Sequence, residues 1–370
     1  MNIPIPMVVL TGFLGSGKTT LLKSVLKDPS MAGTAIIVNE FGDVGLDDAL
    51  IEAAEEETVL LPSGCVCCAV RDDLVQALKR LFEQAQSGAI PELTRIVLET
   101  SGLADPAPIA HTLMSDDDLF RLYALDGIIT TVDAELIETQ LEEHFEPAKQ
   151  IALADRILIT KTDRVDEDRV TAVKSLVRTL NPSAEITPVD HGQANAPLFT
   201  GLAAFEPVAA KHHAEGWLGL ADVTAGSQTS CHDPDCNDPH HHHHDHDHHG
   251  TGQAHHHTHG IHAFAVIYDE PIDGMKLSFA IELLRQHHGN ALLRVKGIAN
   301  VTSEPLPFVI HGVQHIFYPP TTLEAWPSDD RRSRFVFITK DLSEDKVRTL
   351  LDGLLAPPQL SDAPSADVAS

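Results

Sequence analysis

Gly12-Phe13-Leu14-Gly15-Ser16-Gly17-Lys18-Thr19 is the stretch that decides how this chain folds. It follows a short apolar run, residues 7–10, and opens a segment at residues 18–26 that reads as a helix. Strand, glycine-rich turn and helix in that order form a P-loop, in which backbone N–H groups approach phosphate oxygens without side-chain obstruction. The helix N-terminus adds favourable partial positive charge for an anion. Lys18 is placed to bridge the β- and γ-phosphates, and the Thr19 hydroxyl to ligate Mg²⁺. Gly12, Gly15, Ser16, Gly17, Lys18, Thr19 and Thr20 are therefore the phosphate-binding candidates.

Outward from this loop, apolar runs at 35–38, 96–98, 128–129 and 156–159 are continuous rather than alternating. That pattern is expected of strands buried on both faces of a parallel sheet. Leu74, Val75, Leu78, Leu81 and Phe82 recur at helical spacing between them. The expected fold is α/β, a P-loop NTPase domain with a mostly parallel sheet over residues 1–206. From Pro207 the composition shifts to His, Asp, Gly and Thr, so residues 207–260 read as a flexible linker that buries little surface. Apolar runs at 264–268, 292–295, 308–310 and 335–338, with helical stretches at 275–287 and 344–355, predict a smaller α+β domain over 261–355. Residues 356–370 read as a disordered tail.

A net charge of −28 argues against a nucleic-acid partner, which would require an excess of Lys and Arg. The N-terminus lacks a signal-peptide pattern, and no apolar stretch approaches the length of a membrane span, so a cytoplasmic protein away from the membrane is expected. Thiols stay reduced in that compartment. Five cysteines, three of them in Gly64-Cys65-Val66-Cys67-Cys68, then read as metal ligands rather than a disulfide framework.

Glu99 ends the apolar strand at 96–98 and begins Glu99-Thr100-Ser101-Gly102. A carboxylate there can bind Mg²⁺ through water or orient an attacking water, and Gly102 can offer its N–H to a γ-phosphate. Thr160-Lys161-Thr162-Asp163 ends another strand, where a nucleotide base would lie. An Asp at that place accepts two hydrogen bonds from guanine that adenine cannot supply, and Lys161 can lie along base and ribose. Cys65, Cys67 and Cys68 suit Zn²⁺, Cu⁺ or Co²⁺ and leave one tetrahedral position open or to another ligand, for which Glu40 is the candidate and Asp43 an alternative. The histidine-rich segment, from Cys231-His232 through Cys236 to His259, has the composition of a loose, exchanging store of several metal ions.

Together Gly12 to Thr20, Asn39-Glu40-Phe41-Gly42, Gly64-Cys65-Val66-Cys67-Cys68, Glu99-Thr100-Ser101-Gly102-Leu103 and Thr160-Lys161-Thr162-Asp163 resemble the CobW-type, metal-handling P-loop GTPases. The His-rich insertion and Arg294-Val295-Lys296-Gly297 are also similar to that family. The resemblance implies a slow GTPase using Mg²⁺ that carries a transition metal, Zn²⁺ or Co²⁺, on the three cysteines. It further implies delivery to a client apo-metalloprotein. Thr160 departs from the Asn that commonly starts the family's guanine motif, which places more of the base recognition on Asp163. A non-enzymatic zinc buffer or sensor and an ATP-using metal-chelatase subunit are the rival expectations, and a homodimer is left open.

Overall fold

The computed structural model describes residues 4–39, 58–60, 69–202 and 259–355. Glu40, Asp43, Cys65, Cys67, Cys68, the His-rich tract up to residue 258 and the tail from residue 356 lie outside the described residues.

The first sheet is built from β1 (Ile5–Gly12), β2 (Thr34–Asn39), β3 (Thr58–Leu60), β4 (Arg95–Thr100), β5 (Tyr123–Asp133), β6 (Arg156–Thr160) and β7 (Glu185–Pro188). Their order is β3-β2-β4-β1-β5-β6-β7, and every pairing is parallel. Successive residues of β1 enter different cores, as period-two alternation requires. Met7 and Val9 pack on one face, while Val8 and Leu10 pack on the other. That is why the apolar runs are unbroken.

Helices cover both faces. On one side lies α1 (Lys18–Val25), through Leu21, Leu22 and Val25. On the other lie α2 (Ala69–Gln86), α3 (Ala107–Ser115), α4 (Asp117–Leu122), α5 (Ile137–Glu143), α6 (Glu146–Leu153) and α7 (Glu167–Leu180). Asp116 caps α4 and Asp166 caps α7, each accepting a backbone N–H of the first turn. Among the described residues no helix is long and apolar enough to cross a membrane.

The second unit is antiparallel. It comprises β8 (Ile261–Tyr268), α8 (Gly274–His288), β9 (Leu292–Ala299), β10 (Phe308–Val313), β11 (Ile316–Phe317), β12 (Thr321–Thr322), β13 (Ser333–Lys340) and α9 (Glu344–Leu355). Its main strand order is β11-β10-β9-β13-β8. One face packs Val295, Phe335 and Phe337 beneath Leu284 of α8 and Leu351 of α9. The opposite face sends Ile261, Leu293, Val313 and Ile338 into the core of the first domain. Each such side chain contributes about 1.5–3 kcal/mol on full burial, so the two domains share a substantial apolar seat.

Candidate functional site

The C-terminal ends of β1 and β4 open a cavity of about 330 Å³ lined by Gly15, Gly17, Lys18, Thr19, Glu99 and Gly102, among others. Parallel pairing fixes the levels: Leu10 lies opposite Glu99, and Asn39 opposite Thr100. Loops at the carboxyl ends of such strands are where open α/β sheets bind ligands.

The P-loop backbone takes a shape that only glycine tolerates at its key positions. Gly17 caps α1 at φ 92°, with no side chain capping the helix, so the first-turn N–H groups remain available to an anion. At Gly12, φ 142°, a Cβ would fall 2.2 Å from the Thr131 hydroxyl. The loop is braced from beneath by that same Thr131, whose hydroxyl meets the Ser16 hydroxyl at 2.6 Å. Thr160 adds a second brace, donating its hydroxyl to the Ser16 carbonyl at 2.7 Å.

Lys18 is buried, and its ammonium donates to the carbonyls of Gly12 at 2.7 Å and Phe13 at 3.3 Å. The Thr19 hydroxyl donates to Glu99 Oε1 at 2.7 Å, joining the start of α1 to the end of β4. Hydroxyl and carboxylate there are hard oxygen donors on one wall of the cavity, and the pair fits a Mg²⁺ ion that keeps several waters. Gly102 closes the opposite wall: a Cβ would stand 2.6 Å from the Leu14 nitrogen, so nothing larger than glycine fits against the P-loop.

At the far end of the sheet edge, Lys161 sits at φ 59° and its ammonium pairs with Asp133 at 2.5 Å. Asp163 accepts the His191 backbone N–H at 3.2 Å, with the imidazole Nδ1 3.3 Å away. The structure thus brings Lys18, Thr19, Glu99 and Gly102 around one cavity, and Lys161 and Asp163 onto the loop after β6. The Thr160 hydroxyl faces the P-loop, donating to the Ser16 carbonyl. Thr131, Asp133 and His191 were not singled out in the sequence. For Thr131 and Asp133 the only local signal is the polar ending Thr130-Thr131-Val132-Asp133 on an apolar strand, and His191 has none.

Two described strand ends flank the metal candidates in the chain. Glu40 follows β2 directly, and Cys65, Cys67 and Cys68 fall between the end of β3 and the start of α2. β2 pairs with β4, so Val38 lies opposite Glu99.

Known proteins share this organisation. A family model described as CobW/HypB/UreG, nucleotide-binding domain, matches residues 6–188, and the cobalamin synthesis protein cobW C-terminal domain matches residues 261–355. The zinc chaperone YjiA of Escherichia coli is 31% identical over 351 residues, spanning 95% of this chain and 99% of that protein. The zinc chaperone CobW of Pseudomonas aeruginosa is 28% identical, with 95% and 92% of the two chains covered. A crystal structure of a Zn(II)-bound YjiA GTPase, with one glutamate and two cysteines replaced by alanine, gives a TM-score of 0.67. That comparison has 28% identity and covers 96% of this chain and 99% of the other.

Proposed function

Because the chain belongs to the CobW/HypB/UreG family and is a P-loop GTPase, we propose that it carries zinc on Cys65, Cys67 and Cys68 and releases it to a client apo-metalloprotein under control of the bound nucleotide. The observation that carries this reading is the Thr19–Glu99 hydrogen bond, because Glu99 lies directly opposite Val38 on the strand that leads into Glu40. A change at the γ-phosphate end of the cavity is then felt at the base of the segment holding a metal ligand. In the relative, zinc is still bound after one glutamate and two cysteines are replaced by alanine, so that protein also holds zinc at other ligands. A reducing, cytoplasmic setting is part of the proposal, because the cargo thiols must stay unpaired.

In this reading Gly12, Gly15, Ser16, Gly17 and Thr20 cradle the phosphates, and Lys18 leaves the Gly12 carbonyl to meet the β- and γ-phosphates. Bound Mg²⁺ neutralises charge on those phosphates. Thr19 and Glu99 form its protein side, and Glu99 also orients the attacking water. The water oxygen bonds to the γ-phosphorus as the bond to the bridging oxygen breaks, giving GDP and phosphate. Gly102 offers its N–H to the γ-phosphate, and Asp163 with Lys161 reads guanine. Thr160 serves the cradle through Ser16.

Deleting residues 231–257 tests the assignment of cargo to the cysteines. The shortened chain is expected to keep GTP hydrolysis and one tight zinc site, which triple replacement of Cys65, Cys67 and Cys68 by Ser then abolishes. Loss of all tight zinc binding on deletion of the tract alone would instead make the protein a histidine-based buffer.

A further inference from the structure

The loop that bears Gly102 is held by a residue far away in sequence. Gln150 lies on α6 and is 1% exposed. Its Nε2 donates to the carbonyl of Gly102 at 3.1 Å and to that of Ala104 at 3.0 Å. Two carbonyl acceptors fix the amide orientation, since the reverse would set oxygen against oxygen. Its Oε1 is buried without a hydrogen-bond partner, so the side chain is retained here at a desolvation cost.

The neighbouring residue grips the same loop. Lys149 pairs with Asp105 at 2.6 Å, and Asp105 in turn accepts the Ala107 N–H at 3.0 Å, shaping the entry to α3. Within the loop Ala104 N–H donates to the Ser101 carbonyl at 3.1 Å. The helix itself is anchored, because Thr130 of β5 donates its hydroxyl to the Gln150 carbonyl at 2.8 Å. A rigid helix thus fixes two carbonyls on a loop whose glycine is wedged against Leu14 of the P-loop.

We infer that Gln150 is a positioning residue for GTP hydrolysis: by binding the carbonyls of Gly102 and Ala104 it fixes where the Gly102 N–H stands at the γ-phosphate end of the cavity. This rests on the reading of Gly102 given above. Misplacing a catalytic donor by an ångström is enough to slow an enzyme greatly, whereas the P-loop that holds the α- and β-phosphates is braced by other residues, Thr131 and Thr160. The role is therefore specific to the γ-phosphate.

The test compares full-length Gln150→Leu and Lys149→Met with the parent, measuring kcat, and affinities for GDP and for a non-hydrolysable GTP analogue. For Gln150→Leu, GDP affinity is expected to stay within about twofold while kcat falls about tenfold or more and preference for the analogue over GDP shrinks. Lys149→Met, at a partly exposed position, is expected to move in the same direction by less. An unchanged kcat and analogue-to-GDP ratio in Gln150→Leu overturns the inference, and so does equal weakening of both nucleotides. Should Gln150→Leu fail to fold, an unchanged ratio in Lys149→Met overturns it. Absence of any nucleotide effect on zinc in the parent would overturn the metallochaperone reading and leave this inference standing, since its readout is nucleotide alone.

Discussion

Asp155, just before β6, is ion-paired with Arg294 of β9 in the other domain, and both side chains are almost wholly buried. Lys296 approaches the same carboxylate oxygen at 3.3 Å, and the carboxylate also accepts the Ile128 N–H at 3.0 Å. Two buried cations share one anion. Burial accordingly pushes the Lys296 ammonium down to about 8 despite Asp155, with Arg294 repelling it further. Removing the anion strands both cations. Asp155→Asn is expected to cost about 3–5 kcal/mol, read as a lower midpoint in denaturant unfolding.

Acid should act on the same cluster. Burial, with Arg294 acting the same way, drives His311 well below its ordinary 6.5. The unfolded chain takes up that proton and the folded chain does not, so stability falls as pH drops below about 6.5. For Asp155 burial acts upward, but Arg294 and Lys296 outweigh it and hold the carboxyl at about 2. Its contribution is complete above the ordinary 3.8 and is lost as pH falls towards 2. Urea unfolding from pH 7 to pH 5 is expected to show a decline that His311→Gln lessens, by up to about 1.4 kcal/mol per pH unit for one proton. An unaltered slope in that variant contradicts the assignment.

At the cavity, Glu99→Gln keeps an acceptor for the Thr19 hydroxyl but removes the charge. Nucleotide is expected to bind while single-turnover hydrolysis slows by about a hundredfold. Thr19→Ala is expected to lose the Mg²⁺ dependence of triphosphate affinity, measured by titration with and without the ion.

Base recognition separates two residues of one motif. Asp163→Asn is expected to erode the preference for GTP over ATP in a competition assay. Thr160→Val, which removes the hydroxyl on the Ser16 carbonyl, is expected to weaken both nucleotides alike by about 1 kcal/mol. A change of GTP-to-ATP ratio in Thr160→Val would place Thr160 at the base after all.

The P-loop, the buried strands and the order of the two folds are legible because each depends on local spacing or on an unbroken apolar run. α8 is a case: Asp273 caps it by accepting the N–H groups of Met275 and Lys276, close to the start the sequence implies. α6 was not legible. Its role depends on contacts from Gln150 back to Gly102 and from its surroundings forward to β9, and no window of sequence contains both. The cations Arg294 and Lys296 are two residues apart on one strand and therefore share a face, but that spacing alone gives no sign that both are buried. Their anion, Asp155, is 139 residues from Arg294 and carries no local mark.

If the protein is a nucleotide-controlled zinc carrier, nucleotide state sets zinc affinity at Cys65, Cys67 and Cys68. Its most direct measurement is a zinc competition titration of the full-length chain, against a chelator of known affinity, with a non-hydrolysable GTP analogue and then with GDP. A difference of about 5- to 150-fold between the two is expected, matched by an equal effect of zinc on the ratio of analogue to GDP affinity. Equal zinc affinity in both nucleotide states would contradict it.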